Sequence, residues 1–433
     1  MRQTVIPGVG ELAPARPGGT AGEHARALAP ASPQAAPLAA TVVHVATNLE
    51  LGGAQRMLLK LVEAGVSAAA TTHVVTLMPA GALGPAVEAT GARLHSLDLG
   101  RGGVSPQAAI RLARLLRRLR PDLVQGWMYH GNLAASAGLA LAPGFGRGCA
   151  RPAILWNIRG ALDAPERERW LTRQVVRLGA RLSGRPDAIV YNAEVAARQH
   201  EAIGFRAERR RVIGNGFDTD RFAPDPAAKG ALRARLGLGA NSVLIGIAAE
   251  WRPMKDHPTL LVAMRRLVEA GLDVDLVLLG AGTAADSPLL LHHVAANGLG
   301  GRVHGLGPTL DTAPVIAGLD IAVLASAWGE GFPNFIGEAM ASGVPCTATD
   351  SGDCRRVIGG AGQVVPVGDP AALADALAAL VRAPAGERAR LGRLGRERIL
   401  AHYTMAAIAD EYRSLYAECL ARRDAGATRR AGA

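Results

Sequence analysis

Residues 320 to 349 read "DIAVLASAWGEGFPNFIGEAMASGVPCTAT". "DIAVLAS" is a short apolar run that ends near Ser326, and "VPCTAT" is a second. Between them a turn-prone segment holds Gly331, Pro333 and Asn334. A helix is expected from about Pro333, because proline suits a first helical turn, to Gly343, because glycine suits a helix end. Continuous apolar runs alternating with helices mark parallel strands covered on both faces.

The same rhythm extends in both directions. "TVVHVAT", "THVVTLM", "RLHSLDL", "PDLVQGW", "PAILWNI" and "DAIVYN" form one set of strands, starting at Thr41. "SVLIGIAAE", "VDLVLLG", "RVHGLG", "DIAVLAS", "VPCTAT" and "GQVVPV" form another. Between the sets lies "NGFDTDRFAPDP", whose Pro-rich end near residues 223 to 226 reads as the linker. The fold class is therefore α/β, with two Rossmann-like, doubly wound parallel-sheet domains. Residues 1–39, rich in Ala, Pro and Gly, read as a disordered arm, 40–222 as the first domain and 223–404 as the second. Residues 405–421 read as a helix packing back toward the first domain, and 422–433 as a disordered tail.

Composition narrows the class. The chain has 433 residues, 49% of them hydrophobic and only 4% aromatic, so its cores must be aliphatic. There is no apolar run of about 18 residues to span a membrane, and no secretory leader is expected. Cys149, Cys346, Cys354 and Cys419 are scattered, which fits neither a disulfide framework nor a zinc site. No metal-ligand cluster is legible, and a cytoplasmic setting is expected. The net charge is +11, carried almost wholly by Arg; only Lys60, Lys229 and Lys255 are lysines. Such a surface suits anionic lipid or anionic small substrates. No nucleic-acid motif or basic–aromatic stripe appears, so nucleic acid is not an expected partner.

Ligands of doubly wound sheets bind beyond the carboxyl ends of the strands. Glu330 occupies such a loop, and the helix after it offers free N–H groups and a positive dipole end to a phosphate. Glu338, a turn further on, can accept hydrogen bonds from sugar hydroxyls. The same pattern also fits a capping loop followed by a solvated glutamate. In "AAEWRPMKDHPTLLVAM", Arg252 and Lys255 follow a strand end and suit a diphosphate, or are simply solvated cations. In "NLELGGAQRMLLKLV", Gly52 and Gly53 permit close backbone approach to a ligand, or form a plain tight turn. The spacing is not GxGxxG, so a nicotinamide site is not supported. His130 in "WMYHGN" and Arg159 in "WNIRG" also follow strand ends. Asn215 and Gly216 shape the interdomain turn, and "SGD" at 351–353 reads as a turn and cap.

Taken together, these stretches resemble family 4 of the retaining glycosyltransferases, which have the GT-B fold with two such domains facing a central cleft. "GGAQ", "VIGNGFDTDRFAP", "EWRPMKDHPTLLVAM" and "EGFPNFIGEAMASGVPCTATDSGD" occur in the family's order, and the last closely matches its E-x7-E block. The resemblance implies transfer of a sugar, with retention, from a nucleotide-diphosphate sugar, a UDP-sugar foremost, to a glycan or polyprenyl-linked acceptor. Exopolysaccharide or lipopolysaccharide synthesis is the implied setting. Glu330 would contact the donor sugar and Glu338 the ribose. Arg252 and Lys255 would hold the diphosphate. Gly52, Gly53 and the backbone of Gly331, Phe332, Pro333 and Asn334 would line the donor pocket. No cofactor or metal is implied. Family members often carry a His after an N-terminal strand; here His130 and Arg159 are both candidates for the acceptor side. Two other readings stay open: a nucleotide-sugar epimerase of similar fold, and a non-catalytic basic scaffold that binds membrane or polysaccharide. The basic helices "AAIRLARLLRRLR" and "WLTRQVVRLGARLSGR" could rest on the anionic inner face of the plasma membrane, or be ordinary outer helices of a parallel sheet.

Overall fold

A computed structural model describes residues 38–100, 106–142, 151–163, 170–239, 241–309 and 311–431. Two parallel sheets form. The first contains β1 (Val42–Ala46), β2 (Thr72–Thr76), β3 (Arg93–Ser96), β4 (Leu123–Trp127), β5 (Ala153–Ile158), β6 (Ala188–Tyr191) and β7 (Arg210–Val212). Their order is β3-β2-β1-β4-β5-β6-β7. The second contains β8 (Val243–Ala248), β9 (Val274–Leu279), β10 (Val303–Gly307), β11 (Ile321–Leu324), β12 (Cys346–Thr349) and β13 (Gly362–Val365), in the order β10-β9-β8-β11-β12-β13. Both orders reverse direction beside the first strand of their set, which opens a crevice at the strand ends there. β7 went unread in the sequence because "RRV" has no apolar run.

Burial explains the strands. Every residue of β1, β2, β4, β5, β6 and β9 is buried, as expected of strands covered on both faces. The helix expected from Pro333 spans Asn334–Ala341, with Gly343 beyond it in the left-handed region at φ 72°.

The domain boundary differs from the expected 222/223. Ile213 is buried in the first core, whereas Phe217 and Phe222 are buried in the second. The chain therefore crosses between domains at Gly214–Gly216. The Pro-rich stretch lies past the crossing because two aromatic side chains have already been drawn into the second core. The chain crosses back beside the first crossing. Phe217 bridges Thr404, Tyr403 belongs to the second core, and Ile408 to the first.

The last helix spans Met405–Ala431, so the stretch expected as a tail from 422 is helical almost to the chain's end. Arg423 holds it there, donating to the Asp122 carboxylate at 2.8 Å and the Asp122 carbonyl at 3.1 Å. Of the expected arm, residues 1–37 lie outside the described residues. Leu38 already bridges Ser67 in the first domain.

Candidate active site

The loop after β11 carries Glu330, and the loop after β8 carries Lys255. Their side chains meet in an ion pair, Lys255 Nζ to Glu330 Oε1. Ser326 Oγ donates to the same carboxylate oxygen at 2.6 Å. Glu330 is only 6% exposed, so this carboxylate is both desolvated and neutralised. The Lys255 loop is rigid for local reasons. Pro253–Lys255 form a 3-10 turn, and Asp256 caps the helix His257–Glu269 by accepting from Thr259 N at 3.3 Å. Trp251 stacks on the buried His257, with ring centroids 4.7 Å apart. Burial, reinforced by the nearby Lys255 ammonium and opposed by the Ala249 backbone and the Asp256 carboxylate, lowers the His257 pKa to about 4. Arg252 stands apart, exposed and paired with Glu250 at 2.8 Å.

Glycines pack the loops around Glu330 closely. A Cβ on Gly352 would lie 2.1 Å from the Glu330 carbonyl oxygen. A Cβ on Gly337 would lie 1.9 Å from the Phe217 ring, so the helix Asn334–Ala341 sits hard against the interdomain crossing. Phe332 offers only its backbone to the site. Its side chain is buried beside Phe217 and Tyr403, at ring separations of 6.0 and 5.4 Å.

The first domain closes on this loop. The helix Gly53–Glu63 starts opposite the helix Asn334–Ala341, and a Cβ on Gly53 would lie 3.8 Å from Asn334 Nδ2. Two helix N-termini thus meet across one gap, each with unsatisfied N–H groups and a positive dipole end. Seven residues along, Lys60 donates to the Gly216 carbonyl at 3.1 Å. Burial pushes its ammonium below the usual lysine range, countered first by the Glu338 carboxylate. Burial likewise raises Glu338, countered by Lys60, Arg56 and Arg221. Asp353 spans the cleft to cap the helix Glu194–Ala202, accepting from Glu194 N at 2.9 Å and Val195 N at 3.1 Å. "SGD" is therefore a cap, as its sequence reads, but for a helix of the other domain.

The two acceptor-side candidates fare differently. His130 lies in the first turn of the helix Met128–Leu141, after Met128, whose φ of 59° is unusual for a non-glycine residue. His130 makes no side-chain hydrogen bond among the described residues, and burial lowers its pKa. The Arg159 guanidinium is committed to protein. It donates to Tyr412 OH at 2.9 Å, the Gly214 carbonyl at 3.2 Å, Asn157 Oδ1 at 3.3 Å and Asn215 Oδ1. Sequence reasoning missed Lys60, Ser326 and Asp163. Only Lys60 carried a signal, as one of three lysines among 48 cations. Among the described residues no cluster of His, Cys, Asp and Glu could hold a metal ion.

The chain matches two family descriptions in succession: Glycosyltransferase Family 4 over residues 51–221, and Glycosyl transferases group 1 over residues 242–383. It is 36% identical over 188 residues to a phosphatidyl-myo-inositol mannosyltransferase of Mycobacterium leprae, covering 42% of this chain and 46% of that one. It is 29% identical over 316 residues to the lipopolysaccharide core biosynthesis glycosyltransferase LpsE of Rhizobium meliloti, covering 71% and 79%. The match thus spans less than half of the mannosyltransferase. The Anabaena protein HepE, solved in complex with UDP, superposes with a TM-score of 0.74 at 19% identity, covering 87% of this chain and 100% of that one. The two facing parallel-sheet domains are the GT-B fold, and the chain belongs to glycosyltransferase family 4.

Proposed function

We propose that the protein transfers a glycosyl group, with retention, from a nucleoside-diphosphate sugar to a glycan or polyprenyl-linked acceptor in lipopolysaccharide or exopolysaccharide synthesis. The observation that carries this reading is the Lys255–Glu330 pair at the start of the helix Asn334–Ala341, opposite the start of the helix Gly53–Glu63. Two helix ends and a half-buried lysine form a preorganised anion site, while Glu330 and Glu338 offer acceptors for hydroxyls on either side of it. Lys255 and Arg252 stabilise the diphosphate as its bond to the sugar breaks, an electrostatic effect worth on the order of 2.7–4 kcal/mol per donor group. No cofactor beyond the donor enters this reading. UDP is the first nucleotide to try, because HepE was solved with UDP and with UDP-glucose. Thermal stabilisation by UDP, GDP, ADP and CMP should single out one nucleotide on the wild type and vanish in Lys255→Ala. No shift with any of them would leave the non-catalytic scaffold as the better account.

The reaction is set at the cytoplasmic face of an anionic membrane in this proposal. Three neighbouring helices cover one face of the first sheet: Pro106–Leu119, Met128–Leu141 and Trp170–Leu182. None contains an Asp or Glu. Exposed Arg111, Arg114, Arg117 and Arg118 line the first, and exposed Arg177 and Arg181 the third. Ile110, Leu141, Leu178, Trp170 and Leu171 are exposed on the same helices, the last two at 63% and 65%. Arginine beside exposed apolar side chains suits an anionic lipid interface. No described helix is long and apolar enough to cross a membrane. Co-sedimentation with vesicles of phosphatidylglycerol and phosphatidylcholine should fall with salt; absence of binding at low salt would end this part of the reading.

A further inference from the structure

The donor loop runs from Gly329 to Asn334, and both of its ends are held from the other domain by one short segment. That segment is residues 159–163, which follows β5. At one end, Gly329 N donates to Asp163 Oδ2 at 2.5 Å. At the other, Arg159 fixes Asn215 by donating to its Oδ1, and Asn215 Nδ2 donates to Asn334 Oδ1 at 2.5 Å. Asp163 is itself oriented: its Oδ1 accepts from Gln199 Nε2, and Gln199 Oε1 accepts from Leu162 N at 2.7 Å. Arg159 is anchored in turn by Tyr412 of the last helix. Between the two held ends lies Glu330.

We infer that residues 159–163 act as a clamp of the acceptor domain on the donor loop, with Asp163 and Arg159 as positioning residues for the sugar-binding Glu330. The inference rests on the proposed donor site. Of the anion site, Lys255 and the start of the helix Asn334–Ala341 belong to the second domain, and the start of the helix Gly53–Glu63 lies outside residues 159–163, so the diphosphate has contacts that the clamp does not set. The Glu330 side chain is held by Lys255 and Ser326 within the second domain, whereas the loop on either side of it is braced at Gly329 and Asn334 from residues 159–163. The sugar, through Glu330, then reads the clamped loop more closely than the nucleotide does. A rigid, externally braced loop is what a few tenths of an ångström of positional accuracy demands.

Calorimetry on the full chain tests this with matched pairs: UDP and UDP-glucose, GDP and GDP-mannose, ADP and ADP-glucose. In the pair the wild type binds best, Asp163→Ala should leave the bare nucleotide within twofold and weaken the sugar nucleotide at least fivefold. Asp163→Asn, which still offers an oxygen to Gly329 N–H, should restore most of the difference. Equal weakening of both ligands, or no weakening of either, would overturn the clamp. Hydrogen exchange supplies a readout independent of any ligand. Asp163→Ala should speed exchange in the Gly329–Asn334 segment while the strands of both sheets stay protected. Unchanged exchange there would also overturn it. If the wild type binds none of the nucleotides but the exchange prediction holds, the donor reading fails and the clamp survives as a structural device.

Discussion

The loops at the strand ends of the two sheets are built differently. In the second sheet they are finished objects: Lys255, Glu330 and Ser326 are joined to one another, and the glycines around them leave no room for a side chain. In the first sheet the corresponding loops reach outward. Asp163 holds the opposite domain, the helix at Glu194 is capped from it, and His130 has no described partner. In the proposed reading, one half binds by preorganisation and the other by bracing the loop that holds the sugar.

The contrast breaks most readily at Lys255. Lys255→Ala leaves the Glu330 carboxylate buried without its cation, which should cost about 3–5 kcal/mol of stability and abolish measurable nucleotide binding. A thermal melt with and without nucleotide checks both. A fall below about 1 kcal/mol would mean that the donor half is no more preorganised than the acceptor half.

Glu411 sharpens the comparison through pH. It lies half-buried on the last helix, and burial, partly offset by Arg356, raises its pKa to about 7. A raised carboxylate pKa means that the folded chain binds more protons than the unfolded chain. Stability is therefore full below about pH 4.5 and falls as pH rises toward 7. Glu411→Gln should remove that slope and raise stability at pH 8 by about 1–3 kcal/mol. Denaturant melts from pH 5 to 8 would show it; parallel curves for the two proteins would refute it.

Tyr412→Phe removes the hydroxyl that accepts from Arg159 and Asn157. Loss of a hydrogen bond to a charged group predicts about 1.5–3 kcal/mol. The smallest effects are expected at the exposed Arg252 and the unbonded His130. Arg252→Ala should change stability by about 0.5 kcal/mol or less, because its pair with Glu250 is solvated. It should nonetheless weaken nucleotide binding, though less than Lys255→Ala does. His130→Ala should leave nucleotide affinity unchanged, and a loss there would move it out of the acceptor half.

The second-domain half of the candidate site was largely legible because its residues are local in sequence. Strand, loop and helix from Asp320 to Thr349 form one contiguous unit, and the spacing of Glu330 and Glu338 is visible in it. The first-domain half was not, because its contacts are distant. Arg159 and Tyr412 are 253 residues apart, Asp163 and Gly329 166, and Glu194 and Asp353 159. Arg159 was noticed for the right reason, its place after a strand, yet nothing local shows that its guanidinium is already spent on protein partners. The domain boundary was misplaced for a related reason. Prolines mark where a chain turns, but the burial of Phe217 and Phe222 decides which core owns the turn.

The last helix carries a consequence for synthesis. Ile408, Ala409, Tyr412, Leu415, Tyr416 and Cys419 share one core with β1, β4, β5 and β6. Ribosomes extend chains at about 5–20 residues per second, and domains generally fold in order of emergence. Here the domain translated first waits for residues translated after the second. For the time needed to make the second domain, tens of seconds at the slower rate, the part of its sheet that Met57, Leu61 and Val87 do not cover stays exposed. A nascent chain arrested before residue 405 should be sensitive to protease and a client of chaperones. The released chain, with its final helix in place, should be neither.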